Sequence, residues 1–398
     1  MPETNGKKIV IVTTSFTAPS EGKPSAHFLY TYSMALMAAG WRVDVLMPLK
    51  QGCAEREEHG NLRVLRFRWP LMKSTPAFNG RTVYDIKNPV ELLATLSLFF
   101  SLSANLKKYV KEERPSVVWA NWLQLGFISK LSVGKRVPVL VTVLGSDVRT
   151  FPPPLIRIMA RTANDVFNMW TADNEIMSWV IGYKFHEVKV PNVFREKTVS
   201  RSGPRDNVLV VGRLEDGPLH YKPKGIGEPL FRIIARVLRE RSGIRFTIVG
   251  DGSKAARFRE MCRGLEDRVT FTGWLDNYDK LIDGCRFVIG ASGHGGVTFD
   301  TIPYGVPVIV SKYDPVENFW KHKENCLLYN PDDEEEYYRT IIAAWDDPES
   351  MEKMAQQMIA DLKPYALPIG EAAGAWDKAL ADFIAEWKKR GGRKAASG

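Results

Sequence analysis

Two stretches of this 398-residue chain set charge beside glycine in the way that phosphate chemistry requires. In one, Gly212-Arg213-Leu214 follows an apolar run, and Lys222-Pro-Lys224-Gly225 comes ten residues later. Arginine offers a planar fork of donors and lysine a point charge, so Arg213 and Lys224 can hold a diphosphate and offset negative charge growing on a leaving group. In the other, Ser292-Gly-His294-Gly295-Gly296-Val297-Thr298-Phe-Asp300 follows the apolar Phe287–Gly290 and leads into a short helical segment ending at Gly305. Its glycines free backbone amides, and a loop of small residues entering a helix start favours an anion. Asp300 falls in the first helical turn, where a carboxylate is favoured and can accept bonds from sugar hydroxyls. Ordinary surface bases and a plain glycine-rich turn share these letters, so the surrounding elements carry the decision.

Those elements alternate. Apolar strand-length runs at Lys8–Thr13, Val43–Met47, Leu62–Arg68, Ser116–Ala120, Val137–Thr142 and Val188–Val190 are separated by helical stretches, among them 28–37, 89–113, 155–162 and 174–181. A polar segment without apolar period, 195–205, reads as a linker. A second alternation follows, with strands at Val208–Val211, Arg245–Val249, Val269–Thr272, Phe287–Ile289, Val306–Val310 and Leu327–Tyr329, and helix from Asp333 onward. The pattern predicts an α/β chain of two Rossmann-like, doubly wound domains facing across a cleft. The expected boundaries are 1–195, 206–370, and a C-terminal helix with a basic tail at 371–398. Ligands of parallel sheets bind beyond the carboxyl ends of the strands. In the first half this singles out Gly22 and Lys23, Asn121 and Trp122, Leu144-Gly-Ser-Asp147, and Pro191-Asn192. The loop Glu21–Ser25 is not a Walker A loop, because Thr17 stands where the first glycine belongs and Pro24 where Ser or Thr belongs.

Composition narrows the partners. A net charge of +9 points to acidic ones, whether nucleic acid, anionic lipid or a phosphorylated substrate. Zinc-finger spacing and RNA-recognition aromatics are both missing, so nucleic acid is not expected. The four scattered cysteines fit neither a C-x-x-C metal site nor a disulfide framework, and Met1–Lys8 lacks a signal peptide's apolar core. A cytoplasmic protein is expected. Leu92–Leu106 is shorter than the roughly 20 residues that cross a bilayer and reads as a core helix. Phe67–Lys73 and Phe151–Arg161 mix cations with apolar and aromatic residues, which suits peripheral contact with an anionic membrane surface on its inner face.

The co-linear series Gly-Arg-Leu, Lys-Gly, Val249-Gly-Asp-Gly252, Val269-x-Phe-x-Gly273, the glycine-rich loop, Gly305-x-Pro-Val, Glu317 and Asn325-x-Leu-Leu resembles the donor domain of GT-B glycosyltransferases of family 4. Val141-x-x-x-Gly-Ser-Asp147 and Val190-Pro-Asn192 resemble motifs of that family's acceptor domain. The resemblance implies a retaining, metal-independent transferase with no cofactor, which moves a sugar from a nucleotide-sugar to a saccharide or lipid-linked acceptor. It implies that Arg213 and Lys224 hold the donor diphosphate and Asp300 the ribose, with Gly212 and the amides of Gly295, Gly296, Val297 and Thr298 lining the site. Gly22 and Lys23 match the acceptor-domain glycine loop that reaches the donor, and Asp147 is the acceptor-domain acid expected to serve catalysis.

The chain also departs from the pattern. Of two family glutamates eight residues apart, the second is Asp300 and the first is Ser292; Leu144 and Asn121 stand where histidines are common. A neutral Ser292 beside His294 suits a donor sugar that carries a carboxylate or lacks a hydroxyl. Two other functions fit the same motifs: a nucleotide-sugar epimerase, and a non-catalytic nucleotide-sugar binding protein, the latter encouraged by the missing glutamate.

Overall fold

The computed structural model describes residues 6–16, 27–79, 86–143, 152–162, 165–167, 188, 190–194, 205–212, 214, 226–275, 277–290, 301–312, 320–330, 332–363 and 366–390. The chain divides into two compact units, Met1–Val193 with Leu367–Gly398, and Phe194–Ala366.

Unit 1 alternates β1 (Lys8–Val12), α1 (His27–Ala38), β2 (Arg42–Pro48), β3 (Arg56–His59), β4 (Leu62–Phe67), α2 (Pro89–Glu113), β5 (Val117–Asn121), α3 (Leu123–Val133), β6 (Val139–Thr142), α4 (Pro153–Thr162) and β7 (Asp165–Phe167). Its sheet runs β3-β4-β2-β1-β5-β6-β7. The central strands are unbroken apolar runs because helices cover both faces, which is the signature of parallel pairing. At one edge β3, Arg-Glu-Glu-His, pairs antiparallel with β4, against the all-parallel expectation; its charged side chains protect an exposed edge. Helices α2, α3 and α4 share one core with the sheet. Asn88 caps α2 by accepting from the Glu91 amide at 2.9 Å, with Pro89 at the first helical position. Leu98, Leu102 and Leu106 bury one face of α2, but Leu93, Leu96 and Phe100 stand exposed on another, so the helix is not the core helix its composition suggested.

The chain passes from unit 1 to unit 2 within β8 (Asn192–Phe194), which begins two residues beyond the strand expected at Val188–Val190 and is outside the main sheet. Unit 2 comprises β9 (Asn207–Val211), α5 (Glu228–Glu240), β10 (Arg245–Val249), α6 (Ala255–Met261), β11 (Val269–Gly273), α7 (Asp279–Asp283), β12 (Phe287–Gly290), β13 (Val308–Ser311), β14 (Leu327–Tyr329), α8 (Glu334–Asp346) and α9 (Pro348–Leu362). Its sheet is parallel, in the order β11-β10-β9-β12-β13-β14. The expected helix at 174–181 and residues 195–204 of the expected linker lie outside the described residues.

Strand β15 (Ala366–Pro368) pairs with β8, and α10 (Ile369–Lys389) follows it. This helix groups with unit 1, where Trp376 is buried and stacks on Tyr32 at 4.9 Å. The Trp376 indole donates to the Pro191 carbonyl at 3.0 Å, and Asp377 accepts from the Trp41 indole at 2.9 Å. Helices α1 and α10 thus close the second face of the unit 1 sheet.

An ion network ties that sheet to α2. Asp44, fully buried on β2, accepts from Arg63 Nε at 3.0 Å and Nη2 at 2.5 Å, and from the Tyr109 hydroxyl. Arg63 also meets Glu113 at 2.9 Å, and Glu113 accepts from Lys8 at 2.7 Å. Burial pushes the Glu113 carboxyl up, but the bonds from Lys8 and Arg63 outweigh it and hold the group at about 2. A depressed carboxylate stabilises the fold fully above its ordinary value near 4.5, and that contribution is lost as pH falls from there toward about 2. Denaturation measured across this window should show the loss in wild type and a flatter profile in Glu113→Gln. Asp44→Asn leaves the Arg63 guanidinium buried without its main partner and should cost about 3–5 kcal/mol by urea titration.

Candidate functional site

The unit 2 sheet changes direction at β9. The chain builds outward through β10 and β11, then crosses back to lay β12, β13 and β14 on the other side. The carboxyl ends of β9 and β12 therefore become neighbours, with Val211 beside Gly290 in register. At such a reversal successive connections leave toward opposite faces of the sheet and open a crevice for ligand. The two sequence-selected stretches continue from these two ends, one through Gly212 and one from residue 291.

Of the residues assigned to the donor site or to catalysis, Gly212, directly after β9, is the one that lies among the described residues; of the other strand-end candidates, Asn121, Trp122, Pro191 and Asn192 are described as well. Arg213, Lys224, Ser292, His294, Gly295, Gly296, Val297, Thr298 and Asp300 lie outside the described residues, as do Gly22, Lys23 and Asp147. What holds the ends of those segments is described. The Gly212 amide donates to the Val249 carbonyl at 3.0 Å, and the Gly250 amide donates to Gly273 at 2.9 Å. The Leu214 amide then donates to Asp251 at 3.2 Å, and the Leu214 carbonyl accepts from Lys254 at 3.0 Å. Gly212 and Leu214 are thus both bonded to the turn after β10. The approach is so close that a Cβ on Gly250 would lie 1.9 Å from the Gly212 carbonyl oxygen, and one on Gly252 would lie 2.3 Å from that of Leu214. Gly250 also takes a φ of 143°, which side-chain-bearing residues rarely adopt. The Val249-Gly-Asp-Gly252 motif performs this task, and its Gly-x-Gly spacing directly after a strand is the signal for it in the sequence. On the far side of the second stretch, Thr301 is fully buried, and a single 3-10 turn, Ile302–Tyr304, ends at Gly305 with φ 56°.

Unit 1 repeats the plan. Its sheet reverses at β1, so the ends of β1 and β5 are neighbours, with Val12 beside Ala120. Thr13 and Ser15 close a tight turn after β1, the Ser15 amide donating to Thr13 Oγ1 at 3.1 Å. At the end of β5, Asn121 is fully buried, and among the described residues neither its carboxamide nitrogen nor its oxygen has a hydrogen-bond partner. Leaving such a group unpaired costs about 1–3 kcal/mol. The next residue, Trp122, is held at φ 75°, its amide donating to the Thr142 carbonyl at 2.9 Å. An unpaired amide beside a strained backbone, at the carboxyl edge of a parallel sheet, marks a place built for a polar ligand.

Family models agree with this geometry. One described as "Glycosyl transferases group 1" matches residues 205–347, and one described as "Glycosyl transferase 4-like domain" matches residues 26–190, so together they take in most of the chain. The lipopolysaccharide core biosynthesis glycosyltransferase LpsD of Rhizobium meliloti (strain 1021) is 30% identical over 157 residues, 38% of this chain and 43% of that protein. LpsE of the same organism is 23% identical over 116 residues, 28% of this chain and 34% of that protein. The chain therefore matches less than half the length of these two relatives. Among solved structures, Anabaena HepE in complex with UDP superposes with a TM-score of 0.67 at 16% identity, covering 94% of this chain and 100% of that one. HepE has also been solved with UDP-glucose. Sucrose-phosphate synthase from Thermosynechococcus elongatus gives a TM-score of 0.68 at 16% identity, covering 96% and 99%. At such identities the likeness shows the fold alone, and that fold is GT-B.

The glycine contact makes a measurable demand. Gly252→Ala must push away the Leu214 carbonyl and with it the segment 212–214, at an expected cost of about 1–3 kcal/mol. Gly243→Ala, in the same unit with open space around its Cβ, should be near neutral. Calorimetry of the two variants side by side checks this, and equal melting points would refute the contact.

Proposed function

Because the chain belongs to the GT-B glycosyltransferases of family 4 type, we propose that it transfers a sugar from a nucleoside-diphosphate sugar to a saccharide acceptor. The observation that carries this reading is the meeting of β9 and β12 at the reversal of the unit 2 sheet, where the Gly212-Arg213 and 291–300 segments both begin. Arg213 and Lys224 bind the diphosphate, and their charge counts for more as negative charge grows on the departing nucleotide. Two cations on the leaving group remove the need for a metal in this reading. The amides of Gly295 to Thr298 line the phosphate and sugar, and Asp300 accepts from the ribose. HepE was solved with UDP and with UDP-glucose, which supports a uridine nucleotide as the donor's leaving group. Retention of anomeric configuration follows from the family resemblance.

The acceptor belongs to unit 1 in this proposal. Gly22, Lys23 and Asp147 stand on segments that leave its sheet at the carboxyl edge, and the unpaired Asn121 carboxamide offers a donor and an acceptor to sugar hydroxyls. The lipopolysaccharide core relatives support a lipid-linked saccharide as the acceptor class.

A thermal-shift screen of nucleoside diphosphates and their sugars identifies the base, since binding to the folded state raises stability with the logarithm of ligand concentration over Kd. Donor consumed without acceptor would favour epimerisation, and donor bound without turnover across many acceptors would favour a binding protein. Arg213→Ala and Lys224→Ala should each lower turnover by roughly two to three orders of magnitude with folding intact; near-normal kcat/KM in either removes that residue from the diphosphate. Ser292→Glu should shift preference toward an unmodified hexose, because a site built to bond a hydroxyl discriminates against analogues lacking it. Competing donors measured on wild type and variant decide this, and an unchanged ratio means that residue 292 does not touch the sugar.

A further inference from the structure

The α2, α3 and α4 layer of unit 1 carries an apolar surface that no described residue covers. On α2, Leu98 and Leu102 face the core, while Val90, Leu93, Leu96 and Phe100 project from the opposite side of the first three turns. Phe100 is 75% exposed and Leu93 58%. The surface continues onto Leu71, on a loop fixed to α2 by the Ser97 hydroxyl donating to the Pro70 carbonyl at 2.6 Å, and onto Leu131 of α3 and Ile158 of α4. Among the described residues, the one exposed large apolar side chain away from this layer and the loops before α2 is Trp274 in unit 2. The α1 and α10 layer, on the other face of the same sheet, shows none. Single exposed apolar residues are common on any protein; their collection on one layer marks a contact surface.

The charge on α2 says what the contact is. Seven residues beyond Phe100, two turns along the same stripe and about 10 Å further on, stands Lys107, followed by Lys108 and Lys111. All three are exposed, and among the described residues no carboxylate engages their ammonium groups. Of the helix's three acids, Glu91 turns back near the apolar end to accept from the Lys87 amide at 2.7 Å, Glu113 is held by Lys8 and Arg63, and Glu112 stands exposed among the lysines. An apolar stripe that gives way to unpaired lysines matches the profile of an anionic bilayer surface, where hydrocarbon takes the leucines and phenylalanine and the lysine stems run back to headgroup phosphates. A second copy fits poorly, since pairing two α2 faces sets lysines against lysines or against the apolar end. The helix is long and apolar enough to cross a membrane by length and composition, but its other face is buried in the unit's own core, so it lies along the surface.

We propose that this layer docks on an anionic lipid bilayer, with the first three turns of α2 entering the interface and Lys107, Lys108 and Lys111 meeting lipid phosphates. The proposal does not rest on the donor chemistry, and turnover of a water-soluble acceptor reports separately on that.

Flotation of the full chain with vesicles of phosphatidylcholine alone, and of phosphatidylcholine with phosphatidylglycerol, tests it at low and high salt. Wild type should float with the mixed vesicles and be released by salt. Leu93→Glu/Phe100→Glu should lower partitioning roughly tenfold or more. Replacing the lysines by glutamine should cost roughly fivefold each on mixed vesicles and flatten the salt dependence. Since all five side chains are exposed, circular dichroism and Tm should stay unchanged, and Leu93→Asn/Phe100→Asn provides a milder pair if the glutamates perturb folding. Equal partitioning onto both vesicle types, none onto either, or undiminished flotation of both apolar variants would overturn the proposal. A dimer in sedimentation equilibrium that Leu93→Glu/Phe100→Glu splits would reassign the face to a second copy.

Discussion

The parallel pairing of β9 with β12 is the constraint from which the candidate site follows. Once Val211 and Gly290 lie side by side, the segments that leave the two strands must begin within one strand spacing of each other, whatever their sequences. The turn after β10 then limits the first segment, because the Gly212 and Leu214 carbonyls rest where any side chain on Gly250 or Gly252 would have to be. Gly212 and Leu214 are therefore each held by their own backbone contacts to that turn.

Unit 1 uses the same reversal with different chemistry. Its central strands are held to α2 by the buried Asp44–Arg63 pair and the Glu113 and Tyr109 contacts around it, all away from the carboxyl edge. At the edge itself Asn121 has no hydrogen-bond partner among the described residues, and Trp122 takes a conformation unusual for a large side chain. Satisfied polar groups and strained or unsatisfied ones are thus sorted to different parts of the same sheet.

How much of this the residues announced depends on which physical signal each element emits. Buried parallel strands such as Val-Val-Trp-Ala are unbroken apolar runs, so most strands of both sheets were legible. Strand β3 was not, because its Arg-Glu-Glu-His side chains serve an edge and resemble a loop. Helix α3 was missed because it is buried on most sides and shows no stripe; Gly126 sits so close to Val141 that a Cβ there would be 2.4 Å away. The outward face of α2 was hidden for the opposite reason, since leucines all round a helix look the same whether a core or solvent lies beside them. At the site, residue types pointed to phosphate chemistry, while the adjacency of the two strand ends and the bonds that hold Gly212 and Leu214 depend on strand order and backbone approach, which no local pattern encodes.

The return of α10 to unit 1 has a consequence for how the molecule comes into being. Unit 2 is a single continuous stretch, whereas the core of unit 1 includes Trp376, Leu380 and Phe383, which leave the ribosome only after all of unit 2. Until then Tyr32 and Trp119 lack the indole that packs against them, and one face of the first sheet stays open to water. The first strands to be made thus belong to the last core to close, and during synthesis the early half of the chain is the part that depends on protection from aggregation.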